Sequence, residues 1–461
     1  QLLQMRNQAL QNQQGYLQAN TININTHNQL FDNTQGSLLA KQQLTLNSGK
    51  IENHQGSIQS GSDMQIDTHG KQLNNTQSGE DKGIYAQGGL TLKTGELNNQ
   101  QGRIVAKNQL DLNSQGLDNQ QGLIGSQSVI EMQTQQLDNN DGVIKGQSIT
   151  LNTQGQRLTN IAKTDGQGIF ASQMLALIVG ELINRQGQIQ ANHITLDTQK
   201  HRIDNSQGEI LAAKTLSVNS GELDNQQGRV QAGEQLSLNT HGELFNNNDT
   251  QQSGGVLSGG NLTLNSGKLT NQQGQIQGAG ASVLTTQVLN NQQGQIYSGT
   301  LLNINTQKNN VLNQAGTLAS KGILTLKAND INNQQGFLQG KQGLNLNANH
   351  IDNQKGTLLS QSSTQITGAS FSNREGTLQS QGNTDLTIAQ DIDNQQGQIL
   401  SGENLHIGSQ QLNNTQGTLQ GLNHVELTVK QQVENQQGWI KANENLDISA
   451  GSIDNKNTAQ A

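Results

Sequence analysis

The chain contains no proline and no cysteine. Proline deletes a ladder hydrogen bond inside a sheet, so its absence leaves uninterrupted β-pairing open along the whole length. Without cysteine, neither disulfides nor thiolate metal sites can support the fold. Aromatic residues make up 2% and apolar residues 30%, which is poor for a globular core. No apolar run approaches the ~18 residues of a membrane span. The longest, Met174-Leu175-Ala176-Leu177-Ile178-Val179, is far too short. The formal net charge is −8 and thinly spread, which argues against a nucleic-acid partner. No signal-peptide pattern opens the chain and it begins in mid-phrase, so it reads as a fragment of a longer protein.

What the chain does have is one phrase, returning about every 21 residues. It reads Leu10-Gln11-Asn12-Gln13-Gln14-Gly15-Tyr16-Leu17-Gln18-Ala19 at the start and Leu223-Asp224-Asn225-Gln226-Gln227-Gly228-Arg229-Val230-Gln231-Ala232 in the middle. Near the end it is Val433-Glu434-Asn435-Gln436-Gln437-Gly438-Trp439-Ile440-Lys441-Ala442. The composition alone would suggest disorder. The regular spacing argues otherwise, because a narrow solenoid needs only one thin apolar stripe per coil.

The anchoring asparagines are Asn12, Asn33, Asn53, Asn75, Asn99, Asn119, Asn139, Asn160, Asn184, Asn205 and Asn225. They continue as Asn247, Asn271, Asn291, Asn313, Asn333, Asn353, Asn373, Asn394, Asn414, Asn435 and Asn455. An apolar residue lies two before each. Leu, Ile or Val lies five after in most coils, and a small residue seven after. A further apolar-polar-apolar segment follows, as in Leu44-Thr45-Leu46 and Leu262-Thr263-Leu264. The period within these segments is two, so they are strands. Leucine-rich repeats have similar lengths but need helical segments, and no helical periodicity is present. Three short strands per coil give an all-β, parallel β-helix, right-handed by the usual chirality of parallel crossovers. The expectation is ~22 coils of ~21 residues, forming one continuous shaft over residues 1–461, a monomeric rod ~100 Å long at ~4.8 Å per coil.

Asparagine at one inward turn position in successive coils can pass an amide hydrogen bond from coil to coil, satisfying groups otherwise buried unpaired. The plainer reading is a turn preference, since Asn tolerates left-handed geometry. Gly15 and its equivalents are expected to supply positive φ or close chain approach. Three coils carry longer polar loops after the asparagine, at 77–83, 163–168 and 249–255, every fourth coil. They hold mainly Gly, Ser, Thr, Gln and acids, which favours a duplicated four-coil block over binding sites. Ala176, Ile178 and Ile183 fall where strand alternation points outward.

No catalytic, cofactor or metal site is assigned. The best acid pairs for a carbohydrate-active β-helix, Asp118 with Asp138 and Asp204 with Asp224, stack on adjacent coils. No Arg or Lys recurs in their column, and no three outward charged residues cluster on adjacent coils, so these read as solvated turn residues. His27 and His69 are two coils apart, ~10 Å, too far to share a metal. The calcium nonapeptide pattern is absent. A flat ice-binding threonine array is excluded because its column also holds Asn23, Gln65, Asp111, Glu131, Ser217 and His406.

The recurring Leu-x-Asn-x-x-Gly-x-Ile-x-Ala…Leu-x-Leu, as in residues 117–122 with Ile124 and 331–336 with Leu338, resembles the filamentous-haemagglutinin repeat. The resemblance covers essentially the whole chain and marks a shaft type, not a particular exoprotein. It implies the shaft of a large bacterial exoprotein exported by two-partner secretion. Such a shaft belongs either to an adhesin or to a contact-dependent growth inhibition effector that delivers a C-terminal toxin. It further implies an outer-membrane secretion pore as partner, display at the surface of a Gram-negative cell, a possible target-cell receptor, and no enzymatic activity. Nothing here resembles the amino-terminal secretion domain or a toxin domain.

Overall fold

The structure is a computed structural model that describes residues 1–457. Every regular element among them is a β-strand and every paired strand runs parallel to its neighbour, forming β-solenoid turns of about 20 residues, about 23 in all. The chain divides into two compact units, Gln1–Gly233 and Glu234–Ala461.

One coil of the first unit shows the logic. Gly116–Asp118, Leu123–Ser126 and Val129–Gln133 are its three strands, and Gln136–Asp138 begins the next coil. Alternation sends Leu117, Ile124, Ile130 and Met132 inward, all at most 4% exposed. The register stacks like on like: Leu117 pairs with Leu97 and Leu137, Ile124 with Ile104 and Ile144. Four aliphatic side chains per coil cannot bury one another in isolation. They become a core only when the coils above and below cover them, so burial and inter-coil hydrogen bonding arise together.

The second unit repeats the plan. Leu318, Leu324, Leu326 and Ile331 are buried in one coil, paired in register with Leu338, Leu344, Leu346 and Ile351 of the next. Phe245 and Phe371 fill the column that Leu or Ile occupies elsewhere, as Phe31 does in the first unit. Several coils fuse two of their strands, for example Gly168–Ile178, where the register slips at a bulge between Phe170 and Met174. On this strand Ala176 and Ile178 face outward and are half-buried, as is Ile183 on the next, while Met174 is 60% exposed.

The tight turn decides between the two roles expected of its glycine. Positive φ falls on the residue before the glycine, such as Gln14 (54°), Gln121 (55°) and Gln335 (56°), and not on Gly15 or its turn equivalents. Glycine is required there for close approach. A Cβ at Gly122 would lie at or within 3.0 Å of the Asn99 carbonyl oxygen, the Asn99 Nδ2 and the Asn119 Oδ1. The chain packs against two asparagines at once, so no side chain fits. After the longer loops the chain re-enters one position later, at Gly83 and Gly168, which stand in register with Ser57 and Val143 and donate their N–H groups to Gly56 and Gly142 at 2.9 Å.

This geometry separates two glycines in one coil. Gly122→Ala should destabilise the first unit by at least ~2 kcal/mol, because backbone must shift to admit the methyl group. Gly125→Ala, whose nearest neighbours are 3.8 Å away on Lys145, should be close to neutral. Chemical denaturation of the two variants checks this, and equal costs would contradict the close-approach account.

Candidate functional site

Each unit is threaded by a column of asparagines. From Asn12 to Asn225, each side-chain Nδ2 donates to the Oδ1 of the asparagine in the next coil at 2.7–2.8 Å. From Asn247 to Asn455 the same bonds measure 2.6–2.8 Å. Asn119 shows how full the site is. Its Nδ2 also donates to the Gly122 carbonyl at 3.3 Å, while its backbone N–H donates to Asp138 at 2.7 Å and its backbone carbonyl accepts from Gly122 at 3.0 Å. None of the anchoring asparagines has positive φ, so tolerance of left-handed geometry is not what selects them.

Two further columns escaped the sequence reading. The left-handed glutamines form an exposed second ladder, with Gln186 Nε2 donating to Gln207 at 3.0 Å and Gln207 to Gln227 at 2.9 Å. The signal was a glutamine two after the asparagine in most coils. At another corner, buried hydroxyls stack: Thr26 with Ser48 at 2.9 Å, Thr68 with Thr94 at 3.1 Å, Ser114 with Thr134 at 2.9 Å, and Ser266 with Thr286 at 3.2 Å. Its signal was Thr or Ser two after the last inward aliphatic.

The acid pairs stack as read from the sequence, Asp118 beside Asp138 and Asp204 beside Asp224. Asp118 and Asp138 cap their own turns, accepting from the N–H of Gln120 and Asn140 at 3.0 Å, and each also accepts a glutamine amide, from Gln100 at 2.6 Å and Gln120 at 3.0 Å. The expectation of no outward charge cluster is overturned at the second pair. Arg185 Nε donates to Asp204 at 2.6 Å, and Arg202 reaches Asp204 at 3.6 Å, Glu222 at 3.2 Å and Asp224 at 3.0 Å. Arg185 stands two positions after the Asp204–Asp224 column and Arg202 two before it, so a search for recurrence within that column misses them. Asp204 is buried, which pushes its carboxyl pKa up. Hydrogen bonds from the Ser206 hydroxyl and N–H, together with Arg185, outweigh that and hold it below the ordinary 3.8. A carboxylate so occupied is a poor general base.

The histidines are less scattered than the sequence suggests. His27 and His69 each lie 3.2 Å from a carbonyl of the preceding coil, on Asn7 and Ser48. His406 and His424, however, come from adjacent coils with ring centroids 6.1 Å apart, beside Glu426. The signal was a spacing of one coil, which puts Glu426 next to His406.

With this geometry in view, the comparison with known families is decisive. The haemagglutinin repeat matches residues 9–79, 65–165, 164–207, 194–247, 235–335, 324–387 and 379–457. The chain belongs to the haemagglutinin-repeat family. No curated protein and no solved structure matches it. The haemagglutinin repeats span the three long loops as well as the regular coils, so the loops interrupt the turn without ending the array.

Two outcomes follow for these haemagglutinin repeats. Asn119→Leu removes an acceptor from Asn99 and a donor from Asn139, and should cost ~1–3 kcal/mol for each buried group left unpaired. Gln121→Ala keeps the same φ class and loses one exposed bond, so it should cost under ~1 kcal/mol. Urea titration compares them, and similar losses would rule out a stabilising inward ladder.

The second outcome concerns Asp204. A carboxyl whose folded pKa is depressed contributes stability that is present above 3.8 and lost as pH falls through the lower folded value. Asp204→Asn should therefore cost ~1–3 kcal/mol near pH 7, with the gap from wild type shrinking below 3.8. A gap independent of pH would show that the charge plays no part.

Proposed function

We propose that residues 1–461 act as one continuous, non-enzymatic shaft of a larger bacterial exoprotein. The observation that carries this reading is that every coil spends its polar interior on self-propagation. Asparagine amides, corner hydroxyls and in-register aliphatics all point along the coil axis to the next repeat. Nothing in that plan converges on a substrate. The aspartate pairs that could have served as acid and base are committed to turn N–H groups, glutamine amides and arginines.

The haemagglutinin-repeat family is one of structural shafts in adhesin-type exoproteins. From that membership we take export through an outer-membrane partner pore and display on the cell surface. The array would then hold an adhesive or toxin-delivery module away from the producing cell. Absence of cysteine fits passage as an unfolded chain, and coil-by-coil contacts fit folding on emergence. The loops at 77–83, 163–168 and 249–255 are surface insertions in this account. They lack the aromatic or arginine anchors that dominate protein recognition.

Binding to intact target cells tests the spacer role. The purified chain should show no saturable binding, and a variant with all three loops shortened to Asn-Gln-Gln-Gly turns should match it in stability. Saturable binding lost on shortening would make the loops a receptor surface. Saturable binding that survives would place recognition on the strand faces. Either result overturns the passive shaft.

A further inference from the structure

We propose that His406, His424 and Glu426 form a binding site for a divalent transition-metal ion on the outer face of the second unit. His406 lies on strand Leu405–Asn413, and His424 and Glu426 lie on strand His424–Glu434 of the following coil. Glu426 pairs directly with His406. His424 is two residues before Glu426 and so shares its outward face. One potential ligand atom from each of the three residues lies within 4.8 Å of the others.

The surroundings orient the two imidazoles as a metal site requires. Asp385, the register partner of His406 in the preceding coil, stands 3.1 Å from His406 Nδ1. That contact favours a proton on Nδ1 and leaves Nε2 as a lone-pair donor, the usual carboxylate–histidine–metal arrangement. On the far side, Asp447 pairs with Glu426 and lies 3.6 Å from His424 Nε2. His424 Nδ1 is buried and has no hydrogen-bond partner among the described residues. A nitrogen in that position loses its water without compensation, and a metal bond would restore it.

Charge and space favour a cation. Asp385, Glu426 and Asp447 bring three carboxylates to one column. The next outward column holds Thr387, Gly408, Thr428 and Ser449, so no lysine or arginine there competes for them. Gly408 leaves room beside His406, since a Cβ there would meet only the Leu386 carbonyl at 3.9 Å. Two imidazoles with a carboxylate select zinc, nickel or copper over magnesium or calcium, which prefer oxygen. Metal–ligand bonds of ~2.0–2.2 Å place tetrahedral ligands ~3.3 Å apart. Turning the exposed Glu426 side chain and small ring rotations close the remaining gap. The ion would clip one coil to the next, adding a coordination bond to the hydrogen bonds and packing that already join the repeats.

The test uses the full chain, stripped with a chelator and titrated with zinc chloride by calorimetry. One equivalent should bind, and the melting temperature should rise with added zinc. His424→Gln and Glu426→Gln should each weaken binding by at least ~10-fold, and Asp385→Asn by a smaller factor. His350→Gln, which lies outside the cluster, should leave affinity unchanged. Cobalt(II) reports ligation directly, through visible absorption bands that the His406→Gln/His424→Gln double variant should lack. Should a histidine variant unfold, Glu426→Gln, altered at an exposed position, still decides the matter by affinity. Failure of wild type to bind zinc, or binding undiminished in the double variant and in Glu426→Gln, would overturn the proposal.

Discussion

Everything in a coil is arranged around the side-chain amide of one buried asparagine. Buried amides are costly unless every donor and acceptor is paired, and here each amide is paired by its counterpart one coil away. That solution works only if the chain returns to the same point after each turn. It also works only if the strand beyond the turn passes close enough for its carbonyl to accept the second amide hydrogen, as Gly122 does for Asn119 at 3.3 Å. Closeness in turn forbids a side chain at the glycine. The turn must then absorb its sharpest bend one residue earlier, at Gln121 with φ of 55°. Asparagine, glutamine and glycine of the repeated phrase are therefore one device, and altering any member loads the other two.

The apolar columns are a consequence of that fixed return. Once Asn119 sits beneath Asn139, Leu117 is bound to lie beneath Leu137 and Ile124 beneath Ile144. Insertions are tolerated only where the device can be rebuilt. Gly83 and Gly168 show how: after a longer loop, the chain re-enters at the first strand position, where their N–H groups donate to the glycine carbonyls of the preceding coil as that of Val143 does to Gly122. Their positive φ values, 101° and 137°, mark the different approach angle of a loop that arrives from outside the turn.

Most of this architecture was legible in the sequence because its determinants are local and periodic. A period-two alternation, a fixed distance between asparagines and the lack of proline specify parallel strands and their register without knowledge of any contact. What could not be read is chemistry formed between columns. Arg202 reaches Asp204, Glu222 and Asp224 because a long side chain leaning along the coil axis crosses a repeat boundary. The sequence pattern shows the acids but not the lean. The glycine was read as supplying either positive φ or close approach, because the pattern does not separate the two demands, and this turn divides them between two residues. The corner hydroxyls were overlooked because a single threonine after a strand is unremarked, and only the stack gives it a buried partner.

A solenoid of this kind has two surfaces under different constraints. Inward positions must match the same position in the neighbouring coils, so substitutions there are felt by both neighbours. Outward positions answer to no such rule, and their neighbours are set by register, one coil away, more than by adjacency in the chain. His406 and Glu426 are far apart in sequence and adjacent in space. A column can therefore acquire a new grouping through single substitutions, without disturbing the core. The aspartate–arginine cluster around Asp204 and the histidine cluster around His406 both lie on outward columns, beside coils whose inward ladder is uninterrupted. The interior, by holding the coils through its own ladder, leaves the exterior free to carry whatever chemistry a given stretch of shaft requires.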